Sequence, residues 1–361
     1  MFLESLGWGP SHAHAFSVLL SQSSLPLVPG RVVRQERGLL TVQTSERVCL
    51  ARPTGRLLHH ALSAEALPTI GDWVALMVPS GEGEALLHEV LPRQSVLMRR
   101  EAGSEREGQV IAANLDVVFL VAGLDGNFNP RRIERALTVA WNSGAAPVVV
   151  LSKADLQPEV SERVEEVEAL APGVPVLALS ARTGEGLEAL KAELPAGKTG
   201  VLLGSSGVGK STLVNQLLGA ERLATQEVRP EDDKGRHTTT HRELFVLPHG
   251  GLLIDGPGMR ELGLWGDEEG LEHAFSDVVE LAEGCRFRDC GHQREPGCAV
   301  RGAVEAGALT PERLESFDKL RREQAYHARQ ASPLAQREQR RHERTQTLAG
   351  WEYSRAKRRG N

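Results

Sequence analysis

Two hydrophobic rhythms divide this chain. Between residues 30 and 98, short apolar runs alternate with turns. Arg31-Val32-Val33 and Leu39-Leu40-Thr41-Val42 flank Arg37-Gly38, and Arg47-Val48-Cys49-Leu50, residues 71–78 and residues 85–90 follow. Several short strands at this spacing predict a small antiparallel barrel, with an oligonucleotide-binding (OB) barrel as one choice among such barrels. The charged, glycine-bearing stretch 99–109 reads as a linker.

From Asn114 the rhythm lengthens. Buried-strand runs at 117–122, 147–151, 174–179 and 200–203 are each followed by a segment of helical periodicity, at 130–141, 158–170, 185–194 and 209–218. Two more strands, 243–247 and 252–254, follow a long irregular stretch. This alternation predicts a doubly wound, largely parallel α/β sheet whose ligands gather at the C-terminal ends of the strands. After about Asp267 the pattern turns helical and passes a group of cysteines. A charged helix starts at Pro311 and is expected to break at Pro333.

Composition narrows the class. At 361 residues, 40% apolar and 25% charged, with a mean hydropathy of -0.26, the chain reads as a soluble protein of two or three domains. No apolar run reaches the roughly 18 residues that span a bilayer. Residues 1–20 lack a basic leader, carry Glu4 and are broken by Gly7, Gly9 and Pro10, so no export signal is read there. A cytoplasmic monomer that binds neither membrane nor DNA is expected. The net charge of -6 hides an asymmetry: from Lys319 onward twelve Lys/Arg face four Asp/Glu, so the tail is near +8 and the remainder near -14. The tail reads either as a solvated helix or as a local contact for phosphate.

The strand ends carry the candidate chemistry. Gly204-Ser205-Ser206-Gly207-Val208-Gly209-Lys210-Ser211, followed by Thr212, matches the P-loop pattern between a strand and a helix. Its backbone N–H groups would face phosphates, Lys210 would neutralise β- and γ-phosphate charge, and Ser211 would ligate Mg²⁺. Asp255-Gly256-Pro257-Gly258 follows a buried strand, where Asp255 can hold the Mg²⁺ shell and Gly258 can offer its N–H to a γ-phosphate. Between them the polar stretch 226–242 contains Gly235-Arg236-His237-Thr238-Thr239-Thr240. Such a loop can bring a threonine to Mg²⁺; Thr239 is assigned, with Thr238 as its competitor.

Ser152-Lys153-Ala154-Asp155 ends another strand. Asp155 can accept paired hydrogen bonds from guanine N1 and N2, which adenine cannot supply, and Lys153 would lie along the base plane. Ser152 stands where Asn is usual and leaves its loop-bracing bond open. Ser180-Ala181, at a further strand end, would place a backbone N–H at guanine O6.

Of four cysteines, Cys49 reads as a core residue of the barrel. Cys285, Cys290 and Cys298, with His292 among them, offer three thiolates and an imidazole within fourteen residues. This donor set suits one tetrahedral, structural Zn²⁺. Arg31, Arg34, Arg37, Arg47, Arg52 and Arg56 make the barrel basic and compatible with RNA, and Trp73 reads as packing.

The order of these parts is unusual, because the base-reading elements precede the P-loop. A barrel, then Lys153 to Asp155, Ser180-Ala181, the P-loop, Thr239, Asp255 to Gly258 and a Cys/His cluster resembles the circularly permuted ribosome-small-subunit-dependent GTPase A family (RsgA, also called YjeQ). The segment Gly235 to Thr240 is particularly similar to that family's switch segment. The resemblance implies an N-terminal extension (1–29), an OB-fold (30–98), a linker (99–112), a permuted GTPase domain (113–278) and a helical zinc-binding domain (279–361). It also implies GTP hydrolysis stimulated by the small ribosomal subunit, contact with its 16S rRNA and a role in late subunit maturation. Met259 stands where many GTPases carry a water-positioning Gln, so slow intrinsic hydrolysis is expected, with His237 as the water-positioning substitute or else a packing or RNA-contact residue. A non-catalytic RNA scaffold, and a GTPase acting on the large subunit or tRNA, fit the motif set less well. Because Asp255 to Gly258 lies near the exit toward the cysteines, nucleotide state is expected to reposition the zinc domain.

Overall fold

The computed structural model describes residues 2–36, 38–60, 64–81, 83–100, 108–126, 128–220, 241–255 and 268–331. The N-terminal residues form a helix, α1 (Pro10–Ser21), with proline in its first turn, where a missing N–H costs nothing. Trp8, His12 and Phe16 pack on this side, and the Trp8 and Trp73 rings meet edge to face with centroids 4.8 Å apart. The extension is thus a packed element whose anchor, Trp73, is 1% exposed.

Five strands follow: β1 (Val28–Glu36), β2 (Leu39–Thr44), β3 (Val48–Pro53), β4 (Trp73–Met77) and β5 (Ala85–Val90), with a short helix α2 (Gly55–His60) after β3. They run in the order β1-β2-β3-β5-β4 and close by a β1–β4 pairing, with β3 and β5 parallel and the other pairs antiparallel. This is a closed five-stranded OB barrel, which selects among the small barrels the sequence allowed. Alternate residues Val32, Leu40, Val42, Cys49, Ala51, Val74, Leu76, Ala85 and Leu87 fill its interior.

The stretch expected to be a linker differs from that reading. β6 (Val96–Arg100) and β7 (Gly108–Ala113) form an antiparallel ribbon. Leu97, Val110, Ile111 and Ala112 are buried in it, and the surrounding charges obscured this short apolar pattern.

The α/β domain runs β8 (Val117–Gly123), α3 (Pro130–Asn142), β9 (Ala146–Ser152), α4 (Val160–Leu170), β10 (Val176–Ala178), α5 (Leu187–Ala192), β11 (Thr199–Leu203), α6 (Lys210–Leu218), β12 (Arg242–Val246) and β13 (Leu252–Asp255). Its sheet order is β10-β9-β8-β11-β13-β12, parallel except for the β12–β13 pair. The central strands are apolar throughout because both faces are covered. Val117, Phe119 and Val121 face the core under α5 and α6, while Val118 and Leu120 face the opposite core with α3.

The barrel and the α/β sheet are continuous. Edge strand β12 pairs antiparallel with β1, Arg34 opposite Glu243 and Gln35 opposite Arg242. A bulge between Val32 and Arg34 lets β1 serve the barrel with its first half and β12 with its end. Arg31, 1% exposed, seals this junction. Its guanidinium donates to Leu6 O, Gly71 O (3.3 Å), Asn114 O (3.2 Å) and Thr199 Oγ1 (2.8 Å) and lies 5.2 Å from the Trp73 ring centroid. Burial lowers its pKa to about 10. Arg31 is therefore withdrawn from the set of arginines read as RNA contacts. Arg34 and Arg52 pair with Glu36 and Glu84, and Arg37 lies outside the described residues.

The C-terminal part is helical: α7 (Glu268–Ala274), α8 (Ser276–Ala282), α9 (Ala299–Glu305) and α10 (Pro311–Ala331). α10 docks on α3 through Arg131–Glu315 (2.9 Å), Arg135–Glu323 (2.7 Å) and the buried Glu134–Arg313 pair (2.7 Å). Pro333, expected to break this helix, lies outside the described residues.

Candidate functional site

The sheet order reverses between β8 and β11, and a crevice at such a switch point is where α/β sheets bind ligands. The P-loop leaves β11 there. A Cβ on Gly204 would lie 2.3 Å from Val121 O, so only glycine lets the loop cross β8 so closely. Gly209 takes φ +92° and opens α6 with no side-chain cap, which leaves the first helical N–H groups to an anion. Lys210, 8% exposed, curls over the loop, its Nζ donating to Gly204 O (2.6 Å) and Ser205 O (2.7 Å).

The base-reading candidates sit beside it. Ser152 ends β9, and its hydroxyl donates to Val208 O inside the P-loop at 2.7 Å. The shorter side chain thus makes a bracing bond across the site. Lys153 adopts φ +60° and places Nζ 2.6 Å from Asp125 Oδ2. Asp155 follows in a 3₁₀ turn: the Ser180 hydroxyl donates to Oδ1 at 2.6 Å, and Arg182 Nε and Nη2 donate to Oδ2 at 3.0 and 2.7 Å. The Ser180 hydrogen bond first, and then Arg182, hold the Asp155 carboxyl below its ordinary range. Ala154 N donates to Leu179 O at 3.1 Å, which fastens the two base-side loops together.

Asp125 and Arg182 were absent from the sequence reading. Both had a positional signal, one being a carboxylate just beyond β8 and the other a cation directly after Ser180-Ala181. Asp255 closes β13, opposite Glu243 of β12. His237, Thr238, Thr239, Gly256, Gly258 and Met259 lie outside the described residues.

A second centre lies between α8 and α9. The ligand atoms of Cys285, Cys290, His292 and Cys298 all fall within 4.8 Å of one another. Cys285 Sγ is 3.7 Å from His292 Nδ1 and 3.9 Å from Cys298 Sγ, and Cys298 Sγ is 3.5 Å from His292 Nδ1. Tetrahedral Zn²⁺ with Zn–S near 2.3 Å has S···S edges of about 3.8 Å. The observed spacings therefore fit that ion. Cys298 also caps α9, its sulfur accepting the Arg301 N–H. Glu295 shapes the loop, accepting N–H bonds from Gly291 (3.0 Å), Gln293 (2.8 Å) and Arg294 (2.9 Å).

Residues 90–265 match the family model described as RsgA GTPase. A protein of Opitutus terrae named "Small ribosomal subunit biogenesis GTPase RsgA" is 49% identical over 349 residues, covering 94% of this chain and 94% of that protein. The chain belongs to the RsgA GTPase family. It is accordingly a GTP hydrolase with a P-loop domain, and the family uses GTP with Mg²⁺. A second family model, ABC transporter, matches residues 187–350. That span contains the P-loop, a motif common to many nucleotide hydrolases, and the end-to-end relationship to an RsgA protein decides between the two. No described helix is long and apolar enough to cross a membrane. The crystal structure of YjeQ from Thermotoga maritima superposes with a TM-score of 0.62 at 30% identity, covering 81% of this chain and 97% of that one. YloQ, described as a circularly permuted GTPase, shares the fold with a TM-score of 0.60 at 24% identity over 81% of this chain and 93% of its own.

Proposed function

We propose that this RsgA-family GTPase binds the small (30S) ribosomal subunit through 16S rRNA in its GTP state, assists late maturation of the subunit and leaves after hydrolysis. The end-to-end match carries this reading, because 94% of the chain aligns with 94% of a protein named for small ribosomal subunit biogenesis. The working parts are the barrel (30–98), the GTPase domain (113–278) and the zinc-binding domain (279–361), in a monomeric cytoplasmic protein.

Within the site, the backbone of Gly204, Ser205, Ser206, Gly207, Val208 and Gly209 cradles the phosphates, with Lys210, Ser211 and Thr212 at the helix start. Ser211, Thr239 and Asp255 hold Mg²⁺, which supplies charge neutralisation on the β- and γ-phosphates. Asp155 reads guanine N1 and N2, Lys153 flanks the base, Ser152 braces the loop, and Ser180-Ala181 presents an N–H to O6. Gly258 senses the γ-phosphate. His237 positions the attacking water in place of a Gln at Met259. Cys285, Cys290, His292 and Cys298 hold one Zn²⁺ that organises the loop between α8 and α9.

Co-sedimentation tests the switch. With a non-hydrolysable GTP analogue the protein is expected to pellet with small subunits, and with GDP to remain in the supernatant. Equal pelleting in both states would remove the nucleotide-controlled part of the proposal.

A further inference from the structure

The Asp155 carboxylate is over-subscribed. Its two oxygens offer about four lone-pair sites. Three are committed within the protein, one to the Ser180 hydroxyl at Oδ1 and two to Arg182 Nε and Nη2 at Oδ2. A guanine edge brings two N–H donors of its own, one from N1 and one from N2. Five donors exceed four sites, so at least one of these three protein bonds is incompatible with a seated guanine.

The surroundings identify which partner yields. Ser180 is fully buried; its N–H donates to Glu185 O, its carbonyl accepts from Gly184 N, and its hydroxyl oxygen also accepts from Thr183 N. It is fixed at four points in a closed turn. Arg182 lies in the same turn, but its side chain is 74% exposed, against 12% for Asp155. The guanidinium can therefore swing into solvent without disturbing packing. Its two N–H groups, fixed in one plane, imitate the donor pattern of the guanine N1/N2 edge.

We propose that Arg182 is an internal competitor for the base-reading carboxylate, occupying the acceptor that guanine needs and releasing it when a guanine nucleotide seats. The inference rests on the assignment of Asp155 as the guanine reader. It makes Arg182 a specificity-determining residue that weakens GTP and GDP alike and so speeds product release. A base without two adjacent N–H donors cannot repay the displaced bonds. The depressed Asp155 carboxyl agrees with this pairing, because the acid stays ionised and ready for exchange.

The test uses the full chain carrying Arg182→Gln, with GDP and phosphate-free guanosine as probes. Guanosine is measured by competition, so that loss of a cation near phosphates does not enter. Exposed pairs of this kind are worth a factor of about 2 to 5, so guanosine and GDP are expected to bind about 2- to 5-fold more tightly at low salt. The gain should shrink toward unity near 1 M salt. Unchanged or weaker guanosine binding overturns the proposal.

The Asp155→Asn protein separates this failure from failure of the site assignment. It is expected to prefer xanthosine diphosphate to GDP, and in that background Arg182→Gln is expected to leave xanthosine diphosphate affinity unchanged. No switch of base preference would refute Asp155 as the reader. A normal switch with no Arg182 effect in the parent protein would refute only the competitor.

Discussion

The Ser152 hydroxyl donates to the Val208 carbonyl at 2.7 Å, tying the end of the base-reading strand to the middle of the phosphate loop 56 residues later. This bond spans the stretch of chain through which the reversed motif order joins the base loop directly to the phosphate loop. Base loop and phosphate loop are consequently one mechanical unit even though the chain visits them in the reverse of the usual order.

Removing that hydroxyl tests the unit. Ser152 is 3% exposed, so Ser152→Ala leaves the Val208 carbonyl short of a partner in a dry place, at a cost of about 1–2 kcal/mol. Thermal denaturation is expected to show a lower Tm, and titration a weaker GDP affinity. Loss of stability with GDP affinity intact would mean that the bond supports the fold alone.

Arg31 tests the continuity of barrel and GTPase domain. Its donors reach the N-terminal segment, the barrel, the β7–β8 junction and β11, the strand that carries the P-loop. Arg31→Met is expected to destabilise the protein by about 2–4 kcal/mol, because several buried acceptors lose their donor together. Arg31→Lys should not restore the Tm, since one ammonium cannot serve the whole fan. Full rescue by lysine would show that charge alone matters there.

The α3–α10 interface makes a third case. Burial alone would lower the Arg313 pKa, but hydrogen bonds to Asp277 and Glu134 outweigh it and raise the value above the ordinary one. Arg313→Met strands Glu134, which is 3% exposed, at a cost of about 3–5 kcal/mol. Adding Glu134→Leu is expected to recover part of that loss. If the double variant were as unstable as the sum of the single variants, the pair would not be the interaction that docks α10.

At the metal centre, elemental analysis is expected to find one zinc per chain, falling to none in Cys285→Ser. The backbone N–H groups of Glu295 and Arg294, followed by those of Gln293 and Gly291, hold the Glu295 carboxyl at about 2. A depressed acid of this kind supports the fold fully above its ordinary value near 4.5 and loses that support as pH falls toward 2. Glu295→Gln is therefore expected to lower zinc retention against a chelator at pH 7, where the wild-type carboxylate is fully charged. Equal retention would separate Glu295 from the metal loop.

The parts legible in the sequence were those whose chemistry is local. Gly204 to Ser211 sits between a strand and a helix, Asp155 at a strand end, and three cysteines with His292 in one short loop, so residue type and spacing were sufficient to place these groups in the fold. The joining of the two sheets was not legible. Arg34, Gln35, Arg242 and Glu243 pair through their backbones, and backbone pairing leaves no signature in side chains. Arg31 was grouped with surface arginines because a basic residue in a strand looks the same whether it faces solvent or a ring of carbonyls. Asp125 and Arg182 act through partners 28 and 27 residues away, and only the fold brings those partners together. The expectation that nucleotide state moves the zinc domain now has a defined contact to test, since α10 is held on α3 by Arg313 and Glu134.

In the proposed function, the small ribosomal subunit completes the motor of this GTPase. The deciding measurement is GTP turnover by the purified protein alone and then with small subunits, large subunits or tRNA, each with wild type and His237→Ala. Slow turnover alone, strong stimulation by small subunits only, and loss of that stimulation in His237→Ala with GDP affinity unchanged are expected. Absence of stimulation by small subunits, or equal stimulation by large subunits or tRNA, would contradict it.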